Sequence, residues 1–168
     1  MKLYVLTFVL SAVLSLAAHA DTGKLISQLK VWNVVTQADG AETLQPAQTV
    51  KPGDVLQYST VYTNPGQRAV NRLVTNLPIP VGTEWVATGT VPSTVLASLD
   101  GKVFAPVPLM RKTRRADGQL VDVPVPLAEY RSLRWPEQQL AAGASFTNTA
   151  RVRVISAPTP ATSASVAR

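Results

Sequence analysis

Val55-Leu56-Gln57-Tyr58-Ser59-Thr60-Val61-Tyr62-Thr63 (VLQYSTVYT) is the stretch that decides the fold. It is rich in β-branched and aromatic residues, and Leu56, Tyr58, Thr60 and Tyr62 fall on one face at a spacing of two. That period belongs to a strand with one buried face, not to a helix. Turn signals close both ends. Lys51-Pro52-Gly53-Asp54 precedes the stretch and Asn64-Pro65-Gly66-Gln67 follows it. Proline presets one backbone angle in such turns and glycine supplies the permissive one.

The pattern continues on both sides. Lys24 to Gln37 predicts an opening strand centred on Leu29 to Val35, followed by a turn at Ala38-Asp39-Gly40-Ala41. Val70 to Leu77 predicts the next strand, stopped by Pro78 and Pro80, which cannot donate to a ladder. Gly82 to Val91 carries Trp85 and Val86 into another. Ser98 to Lys102 predicts a tight turn before Val103-Phe104. Met110 to Val123 reads as a hairpin or long loop with a basic flank, and Glu129 to Trp135 as a further strand. In Ser145 to Ile155, Phe146, Asn148, Ala150, Val152 and Val154 share one face and Arg151 and Arg153 the other, which is the half-buried strand pattern. The chain's 13 prolines work against long helices. About seven short strands separated by turns predict an all-β, immunoglobulin-like two-sheet sandwich.

The ends read differently. Lys2 opens a short positive region, Leu3 to Leu16 is apolar, and Ala18-His19-Ala20 offers small residues where a signal peptidase needs them. Residues 1–20 are therefore expected to be a cleavable signal peptide; the apolar run is short for a bilayer span. The expected domain is 21–155, without a membrane span. Residues 156–168, all Ala, Pro, Ser, Thr, Val and Arg, lack the apolar mass to fold and are expected to be a disordered tail. The implied destination is the periplasm or the cell exterior, and the chain reads as bacterial.

Composition excludes several chemistries. No Cys occurs, so there is no disulfide framework, lipid-modified cysteine or thiolate metal site. The one His is His19, inside the expected signal peptide, so the exported part lacks the usual general base and commonest metal ligand. Neither a cofactor nor a metal site is expected. The acids Asp100, Asp117, Asp122, Glu84, Glu129 and Glu137 show no spacing that pairs two across a cleft. Asp39, Glu42 and Asp54 lack the alternation of a calcium loop. The net charge of +6 favours anionic surfaces, with plain solubility as the simpler explanation.

The candidate binding residues are Arg111, Lys112, Arg114, Arg115 and Trp32. The four cations suit phosphate or sulfate groups. Without interleaved aromatics they do not make a nucleic-acid platform, and a solvated charge run is the plainer alternative. Trp85, Trp135, Tyr58 and Tyr62 read as core. Trp32, beside Lys30 and Asn33, is balanced between core and a stacking surface for carbohydrate.

Three stretches in order carry a resemblance: Val50 to Tyr58 running on to Gly66, Val74 to Trp85, and Leu133-Arg134-Trp135 with Leu140 to Ser145 and Ala150 to Val154. Their PGD turn, Tyr-bearing strand, N-x-G turn, LP-x-G segment, tryptophan and final Gly-turn strand resemble the bacterial conserved-repeat surface domain, domain of unknown function 11. Thr75-Asn76 stands where that family usually has Asp before LP, and Asp100 to Arg131 is longer than its core needs. The resemblance implies an immunoglobulin-like sandwich on an exported or surface protein, with no catalytic residues. The resulting expectation is an exported, non-catalytic protein that binds an envelope or surface component, as monomer or assembly. One alternative is a strand-exchanging subunit of a fibre or secretion assembly, suggested by Lys24 to Val35. The other is a small polysaccharide or cell-wall hydrolase using Glu129 and Asp122.

Overall fold

Along 24–155, the residues that the computed structural model describes, the alternating segments pair as antiparallel strands. In chain order these are β1 (Ile26–Thr36), β2 (Glu42–Pro46), β3 (Val55–Thr63), β4 (Val70–Pro78), β5 (Thr83–Val91), β6 (Leu96–Ser98), β7 (Ala105–Pro106), β8 (Met110–Arg114), β9 (Leu120–Pro124), β10 (Ser132–Leu140) and β11 (Ser145–Val154). One 3-10 turn occupies Leu127–Glu129. A five-stranded sheet has the order β2-β1-β3-β11-β5, a four-stranded sheet the order β4-β10-β6-β7, and β8-β9 is a separate hairpin. The expected signal peptide 1–20 and tail 156–168 lie outside the described residues.

The fold is the expected all-β sandwich. Strands β1, β3, β4, β5, β6, β10 and β11 form its body, while β2 and β7 extend the sheet edges. The chain crosses between sheets from β3 to β4, β4 to β5, β5 to β6 and β10 to β11, so β11 enters last, between β3 and β5.

Strand β3 sets the core. Its Tyr58 lies opposite Val31 of β1 and Ala150 of β11. Leu56, Ala150, Val152 and Trp85 of the five-stranded sheet pack with Leu77, Ala97, Leu133 and Trp135 of the other. Removing each large apolar side chain from water contributes about 1.5–3 kcal/mol. Trp85 and Trp135 are buried, and each indole N–H is satisfied, by Thr90 Oγ1 at 3.1 Å and the Pro92 carbonyl at 3.0 Å. Towards Tyr62 the interior turns polar. Buried Asn148 donates to Thr75 Oγ1 at 2.5 Å across the sheets, and Tyr62 stacks on Phe146 at 5.1 Å. Burial pushes the Tyr62 hydroxyl up, offset in part by hydrogen bonds with Thr75, Ser27 and Thr60.

The two turn motifs that flank β3 are joints. Gly53 N–H donates to the Val154 carbonyl and Val154 N–H to the Asp54 carbonyl, both at 2.8 Å, fastening the end of β11 to the turn before β3. After β3, the Asn64 side chain is buried and donates through Nδ2 to the carbonyls of Arg68 (2.8 Å), Ala141 (3.0 Å) and Leu140 (3.2 Å). Its Oδ1 accepts from Gly66 N–H at 3.1 Å, and its backbone exchanges bonds with Ala144 and Gly143.

Four elements depart from the sequence expectation, two of them the short β6 and β7, which are not expected as strands. The strand expected over Glu129 to Trp135 instead begins at Ser132 and runs through Pro136 to Leu140. Pro126 starts the 3-10 turn, and Pro136 is accommodated where the pairing with β4 slips between Trp135 and Gln138. Strand β2 forms although Glu42–Pro46 has little strand character, because it pairs along Trp32 to Thr36 of β1.

Asn64→Ala leaves buried carbonyls without a donor and is expected to cost at least about 2 kcal/mol, read as a lower urea midpoint with unchanged m. Asn64→Asp, an acceptor facing three carbonyls, is expected to cost no less. An unchanged midpoint in either would show that the joint carries no stability.

Candidate functional site

The hairpin contains the four cations singled out from the sequence. Its turn closes through Arg115 N–H to the Gln119 carbonyl (2.9 Å) and Gly118 N–H to the Arg115 carbonyl (3.0 Å), with Asp117 Oδ1 accepting from Gln119 N–H (3.0 Å). The φ of +85° at Gly118 suits glycine. The hairpin's base is locked into the core. Leu109 N–H donates to the Tyr130 hydroxyl at 2.8 Å, and Val125 N–H donates to the Leu109 carbonyl at 2.8 Å. Leu109 and Val125 are buried; Tyr130 is 0% exposed and stacks on Trp85 at 5.7 Å. From that base outward every residue of β8 is exposed.

The pairing divides the cations. Lys112 lies opposite Asp122 and Arg114 opposite Leu120, so Met110, Lys112, Arg114, Leu120 and Asp122 share one face. Arg111 and Thr113 lie on the other with half-buried Val121 and Val123. Arg111 pairs with Glu129, which holds the Glu129 carboxyl below its usual range and pushes the Arg111 guanidinium up. Lys112 pairs with Asp122 at 3.2 Å, and Arg114 donates to the Gly118 carbonyl at 2.8 Å. The Arg115 side chain has no ion-pair partner among the described residues. Met110 and Leu120, 52% and 59% exposed, put apolar surface beside Lys112 and Arg114.

Trp32 sits elsewhere. It faces outward on the five-stranded sheet, half-buried, in a row with Pro46, Gln57, Arg151 and Val86. Arg151 donates through Nε to Gln57 Oε1 at 3.0 Å and pairs with Glu42 at 2.8 Å. Its side chain lies across Gly89, whose φ is +83°; a Cβ there would meet Arg151 Cδ at 2.7 Å. Arg153 pairs with Glu84 at 3.0 Å. The outward alternation of Arg151 and Arg153 was readable from the sequence; their partners on β2, β3 and β5 were not.

A cleft of about 280 Å³ is lined by Leu99, Asp100, Val103, Ala105 and Leu109. Asp100 turns its carboxylate inward to the loop. Oδ1 accepts from the backbone N–H groups of Lys102 (2.8 Å) and Val103 (2.9 Å) and from the Ser98 hydroxyl (2.8 Å). These donors hold its pKa at about 2 against an ordinary 3.8. Seven other acids are likewise engaged. Asp39, Asp54 and Asp117 accept backbone N–H bonds in turns, and Glu42, Glu84, Asp122 and Glu129 are ion-paired.

No family model matches the chain, and no curated protein or solved structure matches it significantly.

Because folding depresses the Asp100 pKa, its stabilising effect is complete above pH 3.8 and is lost as pH falls from 3.8 to about 2. An NMR titration of the Asp100 carboxyl is expected to report a midpoint near 2, and Asp100→Asn is expected to flatten the fall in melting temperature across that window. A midpoint at the ordinary value would overturn this.

Proposed function

We propose that this is an exported, non-catalytic bacterial β-sandwich that acts by contact with an anionic component of the envelope or cell surface, and that the β8-β9 hairpin makes the contact. One observation carries the proposal: the hairpin's base is fixed in the core while its outer face offers Lys112 and Arg114 beside exposed Met110 and Leu120, with Arg115 at the turn. An amphipathic, cationic projection on a fixed base suits an anionic surface. Headgroup charge attracts the cations, and the apolar side chains enter between headgroups. Loops and projections on a stable scaffold are where binding residues concentrate.

The non-catalytic part rests on chemistry. The exported part of the chain carries neither His nor Cys, and the acids described above are committed to turns and ion pairs. Membership of the conserved-repeat surface domains, supported by the order of the PGD, Asn-Pro-Gly and Gly-Ala-Ser turns, agrees with a contact role. In this structure the first two motifs are joints of the sandwich.

Sedimentation with phosphatidylglycerol vesicles, phosphatidylcholine vesicles and lipopolysaccharide tests this. Binding to at least one anionic preparation is expected, weakening as salt shortens the Debye length, with none to phosphatidylcholine. Charge reversal at Lys112, Arg114 and Arg115 is expected to lower binding at least tenfold, with Arg153→Gln as a neutral control. Equal binding by wild type and the triple variant would remove the hairpin from the proposal.

A further inference from the structure

The strand edges differ in how they are protected. An unpaired edge presents N–H and C=O groups to any other strand, and proteins guard such edges with bulges, prolines, shortness or charge. Strand β4 carries Arg72 at a φ of +53° and ends at Pro78. The pairing of β5 with β11 is irregular beside Gly89. Strand β7 has two residues and includes Pro106, and β2 has five and ends at Pro46. Strands β8 and β9 are short, with three cations on one and an aspartate and Pro124 on the other.

Over its first half strand β1 has no bulge or proline, and its one guard is the charge of Lys30. β2 covers only Trp32 to Thr36, so the outer edge of Ile26 to Val31 has no strand against it among the described residues. This half contains no glycine or proline, and its pairing with β3 runs from Ile26 to Val34 without a slip. It also exposes apolar surface: Ile26 is 45% and Leu29 is 53% exposed.

We propose that this edge pairs antiparallel with the same edge of a second copy, joining two five-stranded sheets into one continuous sheet. The occupant is a second copy because the segment is complementary to itself in a single register, with Gln28 opposite Gln28 of the partner. In that register Ser27 faces the partner's Leu29, Leu25 faces the partner's Val31, and Ile26 lies under the aliphatic stem of the partner's Lys30. Neighbouring registers fail for different reasons. Centring on Leu29 sets the partner's Ile26, within β1, against Trp32, where Pro46 already closes the edge, whereas centring on Gln28 brings only Lys24, which precedes the strand, to that position. Centring on Ser27 places Lys24 directly opposite the partner's Lys30 at both ends, and like charges in facing positions destabilise a pair. A two-fold axis through Gln28 therefore satisfies both the steric stop and the charge constraint. This proposal is independent of the hairpin.

The test uses size-exclusion chromatography with light scattering on the purified protein. Wild type is expected to run at twice its chain mass at high concentration. Gln28→Lys and Gln28→Glu each set like charges face to face and are expected to be monomeric, whereas their equimolar mixture is expected to recover the dimer. That recovery separates loss of pairing from loss of fold, since Gln28 is exposed. A monomeric wild type up to about 1 mM, dimers that survive both single substitutions, or a mixture that stays monomeric would each overturn the proposal.

Discussion

The carboxamide of Asn64 holds together two places where the chain passes between the sheets. It sits after β3, where the backbone leaves the five-stranded sheet, and donates to carbonyls at the end of β10, where the backbone returns. Asparagine is suited to the position because its side chain carries both donors and an acceptor. Nδ2 donates outward to Leu140, Ala141 and Arg68, while Oδ1 accepts from Gly66. Without disulfides, the sandwich depends on such buried bonds to set where β11 enters. β11 in turn completes the core, since Ala150 and Val152 lie between β3 and β5 and face Leu77, Leu133 and Trp135. The Gly53–Val154 and Val154–Asp54 bonds fix the far end of the same strand. The last strand is thus held at both ends by the turns that bracket β3.

The long connection between β6 and β10 is tied to this frame at one level and released beyond it. Tyr130 stacks on Trp85 and accepts the Leu109 N–H, and Leu109 accepts from Val125. These contacts place the base of the hairpin in the same buried cluster as the sheets. The tip has only its own ladder and turn bonds. Segments of that kind open locally at much lower free energy than the core. A fixed base with a yielding tip allows the hairpin to adapt to a surface without disturbing the sandwich.

Much of the frame was legible in the sequence because its signals are local. Period-two alternation in Val55 to Thr63 and Ser145 to Val154, with Pro-Gly and Asn-Pro-Gly turns, marks strands whatever their partners. The burial of Trp85 and Trp135 followed from their size. What escaped detection depends on partners remote in sequence. Strand β10 continues through Pro136 because β4 tolerates the slip beside it, and β2 exists because β1 offers an edge. The four cations between Arg111 and Arg115 form one cluster along the chain. Alternation across the strand places Arg111 on the opposite face from Lys112 and Arg114. For Trp32 the sequence left two environments open, and the structure selects the outward face, in line with Gln57 and Arg151.

Arginine plays opposite parts on the two surfaces, and burial decides which. Arg151 is half-buried across Gly89, where losing hydration raises the cost of an isolated charge, and it is compensated by both Glu42 and Gln57. A ligand seeking that guanidinium would have to displace partners already in place. On the hairpin, Lys112 and Asp122 are solvent-exposed, and pairs of that kind contribute little to stability. An incoming anion can replace Asp122 at small cost, while Arg115 needs no partner displaced. The hairpin is therefore set apart by the weak commitment of its cations rather than by their number. On the outer face of the five-stranded sheet, beside Trp32, both arginines are already paired within the fold.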